Sequence, residues 1–278
     1  MNTKKHILDL SVAQVRELSA GYVEIHLRAA DGKMPEMLPG QFVQVRVDGS
    51  PETFLRRPIS VNLLTRTGAE GGACCDATGN DGAADELWLL VHAVGDGTKA
   101  LARLQTGDTL NIVGPLGNGF TLPAEGADAR PLLVGGGVGT APLLFLGQEL
   151  AARGVRPTFL LGGRREADIM QLEHFRRFGD VALTTEDGSA GERGFVTQHS
   201  LWRDAAYTQI YTCGPKPMMV NVARMARERG IPCEVSLENM MACGLGACLC
   251  CVENTVDGHV CVCTEGPVFD AKRLTIDH

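Results

Sequence analysis

From Ile7 to about Phe120 the chain runs in short strand-like bursts. Val23-Glu-Ile-His-Leu27 and Phe42-Val-Gln-Val-Arg-Val47 alternate apolar with polar residues, the period of two that marks a strand, and Leu87-Trp-Leu-Leu-Val91 is an unbroken apolar run. Asp31-Gly32, Pro39-Gly40, Asp48-Gly49 and Gly107-Asp108 punctuate the bursts with turn chemistry. Many short strands with almost no helix predict an antiparallel β barrel or sandwich. Between Arg66 and Asp85 the periodicity stops: Gly, Ala, Asp and Asn dominate, Cys74 and Cys75 lie among them, and the stretch reads as a mobile hairpin insertion.

Thr121 to Arg130, with Pro123 and Gly126, reads as a linker, and beyond it the pattern changes. Pro131-Leu-Leu-Val134 is a buried strand, and Ala141 to Arg153 a helix with the apolar face Leu143, Leu144, Leu146 and Leu150. Strand Thr158 to Leu161, helix Asp168 to Phe178, strands Val181 to Thr184 and Gln209 to Thr212, and helix Pro215 to Arg229 continue the alternation. Cys233 to Leu237 is expected to be the last strand. This rhythm predicts an α/β domain, a parallel sheet with helices on both faces. The expected units are therefore residues 1–122, 131–236 and a small C-terminal module, 237–278.

At 278 residues there is room for two domains and an appendage that bury large cofactors. A net charge of −7 and a pI near 5.5 argue against nucleic acid or an anionic membrane surface as partner. No apolar run approaches the length of about 18 residues that a membrane span requires. The chain opens Met-Asn-Thr-Lys-Lys without an apolar signal region, so a cytoplasmic, reducing setting is expected.

That setting matters because six of the ten cysteines fall in the last forty residues. Cys243, Cys248 and Cys251 stand at Cys-x4-Cys-x2-Cys spacing, and Cys261 and Cys263 follow. Thiolates so spaced, with a fourth further on, match the plant-type ligand pattern of a 2Fe-2S cluster. Gly244 and Gly246 suit a loop that turns backbone N–H groups inward toward sulfide. Cys263 is the expected fourth ligand and Cys261 the alternative. A structural zinc site usually shows two Cys-x2-Cys-like pairs, which this spacing does not.

Four other motifs carry chemistry. Arg56-Arg57-Pro58-Ile59-Ser60 combines a cation, a fixed φ and a hydroxyl, suited to a phosphate and a ring edge, although a solvated arginine in a turn would look the same. Gly95-Asp-Gly97-Thr98 opens a short helix whose N–H groups suit a pyrophosphate. Gly135-Gly136-Gly137-Val138-Gly139-Thr140 follows a strand and opens a helix, the context of a dinucleotide loop, without being the Gly-x-Gly-x-x-Gly fingerprint. Cys213-Gly214-Pro215 likewise ends a strand, at the edge where parallel sheets bind ligands.

Arg57-Pro-x-Ser60, Gly97-Thr98, the Gly135 to Pro142 loop and Cys213-Gly-Pro-x-Pro-Met-Met, in that order, resemble the ferredoxin-NADP reductase superfamily. The tail, Leu237-Glu-Asn-Met-Met-Ala-Cys243-Gly-Leu-Gly-Ala-Cys248 and then Cys263-Thr-Glu-Gly266-Pro267-Val268-Phe269, resembles the electron-transfer subunits of the NAD-linked dihydroorotate dehydrogenase B family. The resemblance implies a FAD-binding antiparallel barrel, a NAD-binding α/β domain and a 2Fe-2S module. It implies that Arg57, Pro58, Ile59, Ser60, Leu90, Val91, His92, Gly97 and Thr98 bind FAD, and that Cys243, Cys248, Cys251 and Cys263 hold the cluster. Val91 and His92 stand near where the family usually carries an aromatic residue and an arginine.

The same resemblance implies an oxidoreductase subunit of pyrimidine biosynthesis. Electrons would pass from the FMN of a catalytic partner through 2Fe-2S and FAD to NAD+, in a heterotetramer of two copies of each subunit. Dihydroorotate chemistry would sit on the partner, because a barrel of eight β/α units does not fit beside these modules. Alternatives with the same cofactors are subunits of a sulfide dehydrogenase, a hydrogenase or a transhydrogenase. A self-contained reductase would need a full ferredoxin-like domain, and a zinc-stabilised binding module would need no redox group. Gly163-Arg164-Arg165 leaves open whether a 2′-phosphate is accepted.

Overall fold

The alternating bursts fold as six antiparallel strands that close in the order β1-β2-β5-β4-β3-β6. They are β1 (His6–Ser19), β2 (Tyr22–Arg28), β3 (Phe42–Val45), β4 (Arg57–Thr65), β5 (Glu86–His92) and β6 (Thr109–Leu116), with α1 (Asp96–Leu101) after β5. The computed structural model describes residues 4–65, 84–124, 128–204 and 206–275. The hairpin expected at 66–85 therefore lies, but for Ala84 and Asp85, outside the described residues. Ile25, Leu27, Val43, Val45, Val61, Leu87 and Leu89 fill the barrel and are at most 1% exposed.

Of the polar positions of the alternation, Arg46 is exposed, but Glu24, His26 and Gln44 do not face water. Glu24 and Gln44 are fully buried and His26 nearly so, because other parts of the chain pack on the outer face of the barrel. Glu24 accepts hydrogen bonds from Arg16 and from Gln171 of the second domain, and shares a proton bridge with His26 at 2.8 Å. Asn62 on β4 donates to the Ala141 carbonyl and accepts from Gln171.

The second domain is β7 (Pro131–Gly136), α2 (Ala141–Ala152), β8 (Thr158–Gly163), α3 (Leu172–Phe178), β9 (Asp180–Thr185), β10 (Glu192–Arg193), α4 (Leu201–Asp204), β11 (Gln209–Cys213), α5 (Lys216–Glu228) and β12 (Cys233–Ser236). Two expectations shift. α2 is buried almost all round, Phe145, Gly147 and Gln148 included, since it is wedged between its own sheet and β4. The helix expected from Asp168 begins only at Leu172, because Gln171 adopts a left-handed φ of 55° that turns its amide toward Glu24 and Asn62.

The tail adds β13 (Val252–Thr255), β14 (Gly258–Cys261), α6 (Val262–Glu265) and β15 (Val268–Asp270). β12 is not the last strand of the sheet. The order is β10-β9-β8-β7-β11-β12-β15, parallel up to β12, with β15 added antiparallel through Glu234–Asp270, Val235–Phe269 and Ser236–Val268. Asn118, just beyond β6, clasps the tail from the barrel side: its backbone N–H donates to Gly266 O and its side chain to Glu265 O. The expected linker is anchored at its start, where Thr121 donates to Glu234 and accepts from the Tyr211 hydroxyl. One hydrophobic cluster runs through all three parts, from Phe42 and Leu116 through Val134, Ile210 and Val235 to Cys251, Cys263 and Phe269.

The Glu24–His26–Glu86 cluster makes stability depend on pH. Burial pulls the His26 pKa down, but hydrogen bonds to Glu24 and Glu86 outweigh it and leave the value raised above 6.5. Glu86 is held at about 2, first by its hydrogen bond with His26. The His26 share of stability is therefore complete below 6.5 and is lost as pH rises through its higher folded value. The Glu86 share is complete above 4.5 and is lost as pH falls toward 2. Calorimetric melting from pH 5 to pH 9 should show a midpoint that declines on the alkaline side, and His26→Gln should flatten that decline while lowering the midpoint near pH 6.

Candidate functional site

β3 and β4 pair with Phe42 opposite Ser60 and Gln44 opposite Pro58. Opposed residues project to the same face of a sheet, so Pro58 and Ser60 share the outer face with Gln44 and Phe42, while Ile59 turns with Val43 toward the barrel core. Arg57 lies against the first turn of α1: a Cβ built on Gly97 would stand 2.7 Å from its Nε. The structure thus brings together the two phosphate-type signals of the barrel, although they are about forty positions apart in sequence. The Thr98 hydroxyl accepts from the Val94 and Gly95 N–H groups and caps α1, so backbone groups remain to meet a phosphate there. Leu90 and Val91 are buried on β5, and His92 at its end stacks on Tyr22 at 4.1 Å and 7° between ring planes. Burial lowers the His92 pKa and keeps this ring neutral. Tyr22 escaped the sequence reading because its partner comes from another strand.

In the second domain Gly135 and Gly136 end β7, and Gly137 to Thr140 form a single 3-10 turn leading into α2. A Cβ on Gly139 would come within 2.4 Å of the Gly214 backbone, so the glycine loop and the Cys213-Gly214-Pro215 turn touch main chain to main chain. They form the floor of a cleft of about 760 Å³, walled by Tyr22 and His92 of the barrel on one side and by Arg164, Asp168 and Glu186 on another. Its size and its bare backbone floor fit a dinucleotide. Arg164 faces the cleft together with three carboxylates, Asp168, Glu186 and Glu238, rather than with a second cation. Cys213 is fully buried, and its Sγ lies 3.7 Å from Glu238 Oε1. Burial first, and then the Glu238 charge, push that thiol's pKa well up, while burial also raises Glu238. Glu238 lines the cleft; it follows Leu237 in the tail motif, which assigned it no role there.

The cysteine loop is built from left-handed residues: Gly244 has φ 70°, Gly246 83° and Leu249 59°. Such a conformation in a non-glycine residue costs about 1–3 kcal/mol, and here it turns N–H groups toward sulfur. Leu245 N donates to Cys243 Sγ at 3.3 Å, Gly246 N to Cys263 Sγ at 3.2 Å and Cys263 N to Cys251 Sγ at 3.4 Å. The thiols interact in two pairs, Cys243 with Cys248 and Cys251 with Cys263. Backbone N–H groups, Leu245 foremost, bring Cys243 down to about 6, whereas burial pushes Cys263 up to about 12. Among the described residues no three His, Cys, Asp or Glu gather as ligands of one metal ion. A two-iron cluster does not require that, because its four thiolates are shared between two metal atoms. Cys261 carries no such loop hydrogen bond among those described and is half-buried on β14, while Cys263 is buried against Cys251.

Every described cysteine is a free thiol, and no helix among the described residues is long and apolar enough to cross a membrane. Two family descriptions match the chain: an iron-sulfur cluster binding domain of dihydroorotate dehydrogenase B over residues 238–275, and an oxidoreductase NAD-binding domain over residues 133–224. The chain is similar to the dihydroorotate dehydrogenase B (NAD(+)) electron transfer subunit of Geobacillus kaustophilus, 39% identical over 241 residues that cover 86% of this chain and 87% of that one. The same-named subunit of Desulforamulus reducens is 40% identical over 246 residues, covering 85% and 86%. A solved NADH-dependent reduced ferredoxin-NADP oxidoreductase, studied for flavin-based electron bifurcation, aligns with a TM-score of 0.80 at 29% identity, covering 96% of this chain and 90% of that one.

The contact between Gly139 and Gly214 generates a prediction. In Gly139→Ala the added methyl meets backbone that cannot rotate away, an overpacking cost of about 1–3 kcal/mol. The expected result is a lower melting temperature and a roughly tenfold or greater loss of NAD(H) affinity by calorimetric titration, with flavin absorbance retained.

Proposed function

The chain belongs to the family of electron transfer subunits of NAD-linked dihydroorotate dehydrogenase B, and from that premise we propose that it carries electrons from the FMN of a catalytic partner to NAD+ in pyrimidine biosynthesis. Its cofactors are FAD, a 2Fe-2S cluster and NAD. The observation that carries the reading is the shared outer face of β3 and β4, where Pro58 and Ser60 stand opposite Gln44 and Phe42, and Phe42 packs in one cluster with Cys251 and Cys263. Bound flavin exchanges electrons in pairs with nicotinamide and singly with iron, which is the chemistry that joins the three groups.

The protein's own task is placement. Arg57, Gly97 and Thr98 receive the flavin pyrophosphate, and Pro58, Ile59, Ser60, Leu90, Val91 and His92 border the ring system and its chain. Gly135, Gly136, Gly137, Gly139 and Thr140 cradle the NAD pyrophosphate, and Cys213, Gly214 and Pro215 bound the nicotinamide end. Cys243, Cys248, Cys251 and Cys263 would hold the 2Fe-2S cluster, which would pass electrons singly. The assignment keeps three units, 1–122, 131–236 and 237–278, with β15 of the last completing the sheet of the second.

The name electron transfer subunit implies a catalytic partner. We assign dihydroorotate oxidation to that partner, an FMN-containing subunit, in a cytoplasmic complex of two copies of each chain. Oxidation of dihydroorotate to orotate releases two electrons and two protons, and NAD+ takes up both electrons with one proton as hydride. Met240, Leu245 and Leu249 are 84%, 50% and 63% exposed around the exposed Cys248, an apolar rim suited to protein contact. A second reading, as a subunit of an NADH-dependent reduced ferredoxin-NADP oxidoreductase, draws on the 0.80 TM-score, but its 29% identity falls below the 39% and 40% of the dihydroorotate relatives.

Copurification with the FMN subunit and assay of dihydroorotate-dependent NAD+ reduction test the proposal. The pair Cys243→Ser and Cys248→Ser should abolish that activity while NADH still reduces the flavin. Absence of dihydroorotate-dependent activity in the intact complex would overturn the reading. Between the two late cysteines, Cys263→Ser should lose cluster iron and sulfide on chemical analysis, and Cys261→Ser should keep both.

A further inference from the structure

Gln44 is fully buried, and among the described residues neither Nε2 nor Oε1 of its carboxamide has a hydrogen-bond partner. Burying an amide unpaired is costly, and most buried polar groups in folded proteins are satisfied. Gln44 projects away from the barrel interior: its neighbours Val43 and Val45 belong to the barrel core, whereas Phe42 packs with Cys251 and Cys263. Its register partner is Pro58. On the other side its Cγ and Nε2 stand 2.7 and 2.8 Å from where a Cβ would sit at Gly244, the residue after Cys243. Gly244 therefore lacks a side chain for two reasons, its φ of 70° and the room that Gln44 occupies. The orphaned amide lies between the segment assigned to flavin and the loop assigned to the cluster.

We propose that Gln44 donates an Nε2–H hydrogen bond to a sulfur of the 2Fe-2S cluster and thereby raises the cluster's reduction potential. This inference rests on the cluster assigned above. Leu245, Gly246 and Cys263 direct backbone N–H groups at thiol sulfur from within the tail. Gln44 adds a donor from the barrel. Its surroundings, Leu116 and Phe42, are apolar and dry, so the bond is little weakened by competing water. A donor aimed at sulfur stabilises the extra negative charge of the reduced form, which is how hydrogen bonding shifts such potentials upward. Gln44 is a tuning residue, and iron binding itself falls to the cysteines.

The test uses the anaerobically purified, cofactor-loaded protein. Gln44→Met keeps the volume and removes the donor, so iron and sulfide content should be unchanged. At a fixed solution potential the ratio of reduced to oxidised cluster should fall about tenfold, a shift of about 59 mV for a one-electron couple. In parallel, wild-type protein labelled with 15N only in glutamine side chains should show a nitrogen hyperfine coupling in pulsed electron paramagnetic resonance of the reduced cluster. An unchanged ratio in Gln44→Met, or no coupling in the labelled wild type, overturns the proposal, and the second measurement decides even if the variant fails to fold. A wild type without any cluster signal would instead overturn the cluster assignment, and this inference with it.

Discussion

Three backbone pairings at the edge of a sheet hold the tail where it can take part in electron transfer. β15 joins β12 antiparallel, and its strand begins only five residues after Cys263. The last cysteine is thus tied on one side to the nucleotide-binding sheet and on the other, through Asn118 and Gly266, to the barrel. A loop of cysteines joined only by a flexible tether would sample many distances from the flavin site. Main-chain hydrogen bonds on both flanks leave it one position, at little cost because an edge strand offers unpaired groups in any case.

That placement explains why the outer face of the barrel is not an ordinary solvated surface. Phe42 and Leu116 contribute to the same core as Val134, Ile210 and Phe269, so the three parts of the chain bury one another. Where the second domain covers the barrel, Leu63 and Trp88 pack with Leu143 and Leu144, and polar groups are buried beside them. Glu24, Asn62 and Gln171 satisfy one another across the boundary, and Gln148 adds a bond to the Leu64 carbonyl. Apolar packing supplies adhesion, and directional hydrogen bonds of this kind fix the angle at which the parts meet.

Much of this was legible in the sequence wherever the cause is local. Cys-x4-Cys-x2-Cys, a glycine run between a strand and a helix, and Arg-Pro-x-Ser are short-range arrangements, and the structure puts each at a strand end or in a tight loop. What could not be read depends on which distant segment arrives. Glu24 and His26 alternate like surface residues and are buried because Gln171 bonds Glu24 and Trp88 stacks on His26. The helix expected from Asp168 starts late because Gln171 turns aside for the same contacts, and Cys233 to Leu237 could not show that β15 would be added beyond it. Tyr22 lines the cleft without belonging to any motif, and Glu238 reaches it from the tail motif, whose cysteines alone suggested a role.

The two thiol pairs differ in their surroundings. Cys248 is exposed and Cys243 half-buried, while Cys251 and Cys263 are buried. Whatever the loop carries therefore has a front and a back, with one flank toward the outside world and the other sealed in hydrocarbon. Traffic through such a port is directional by construction, and stray oxidants can approach from a single quarter, the one that a docked neighbour would close.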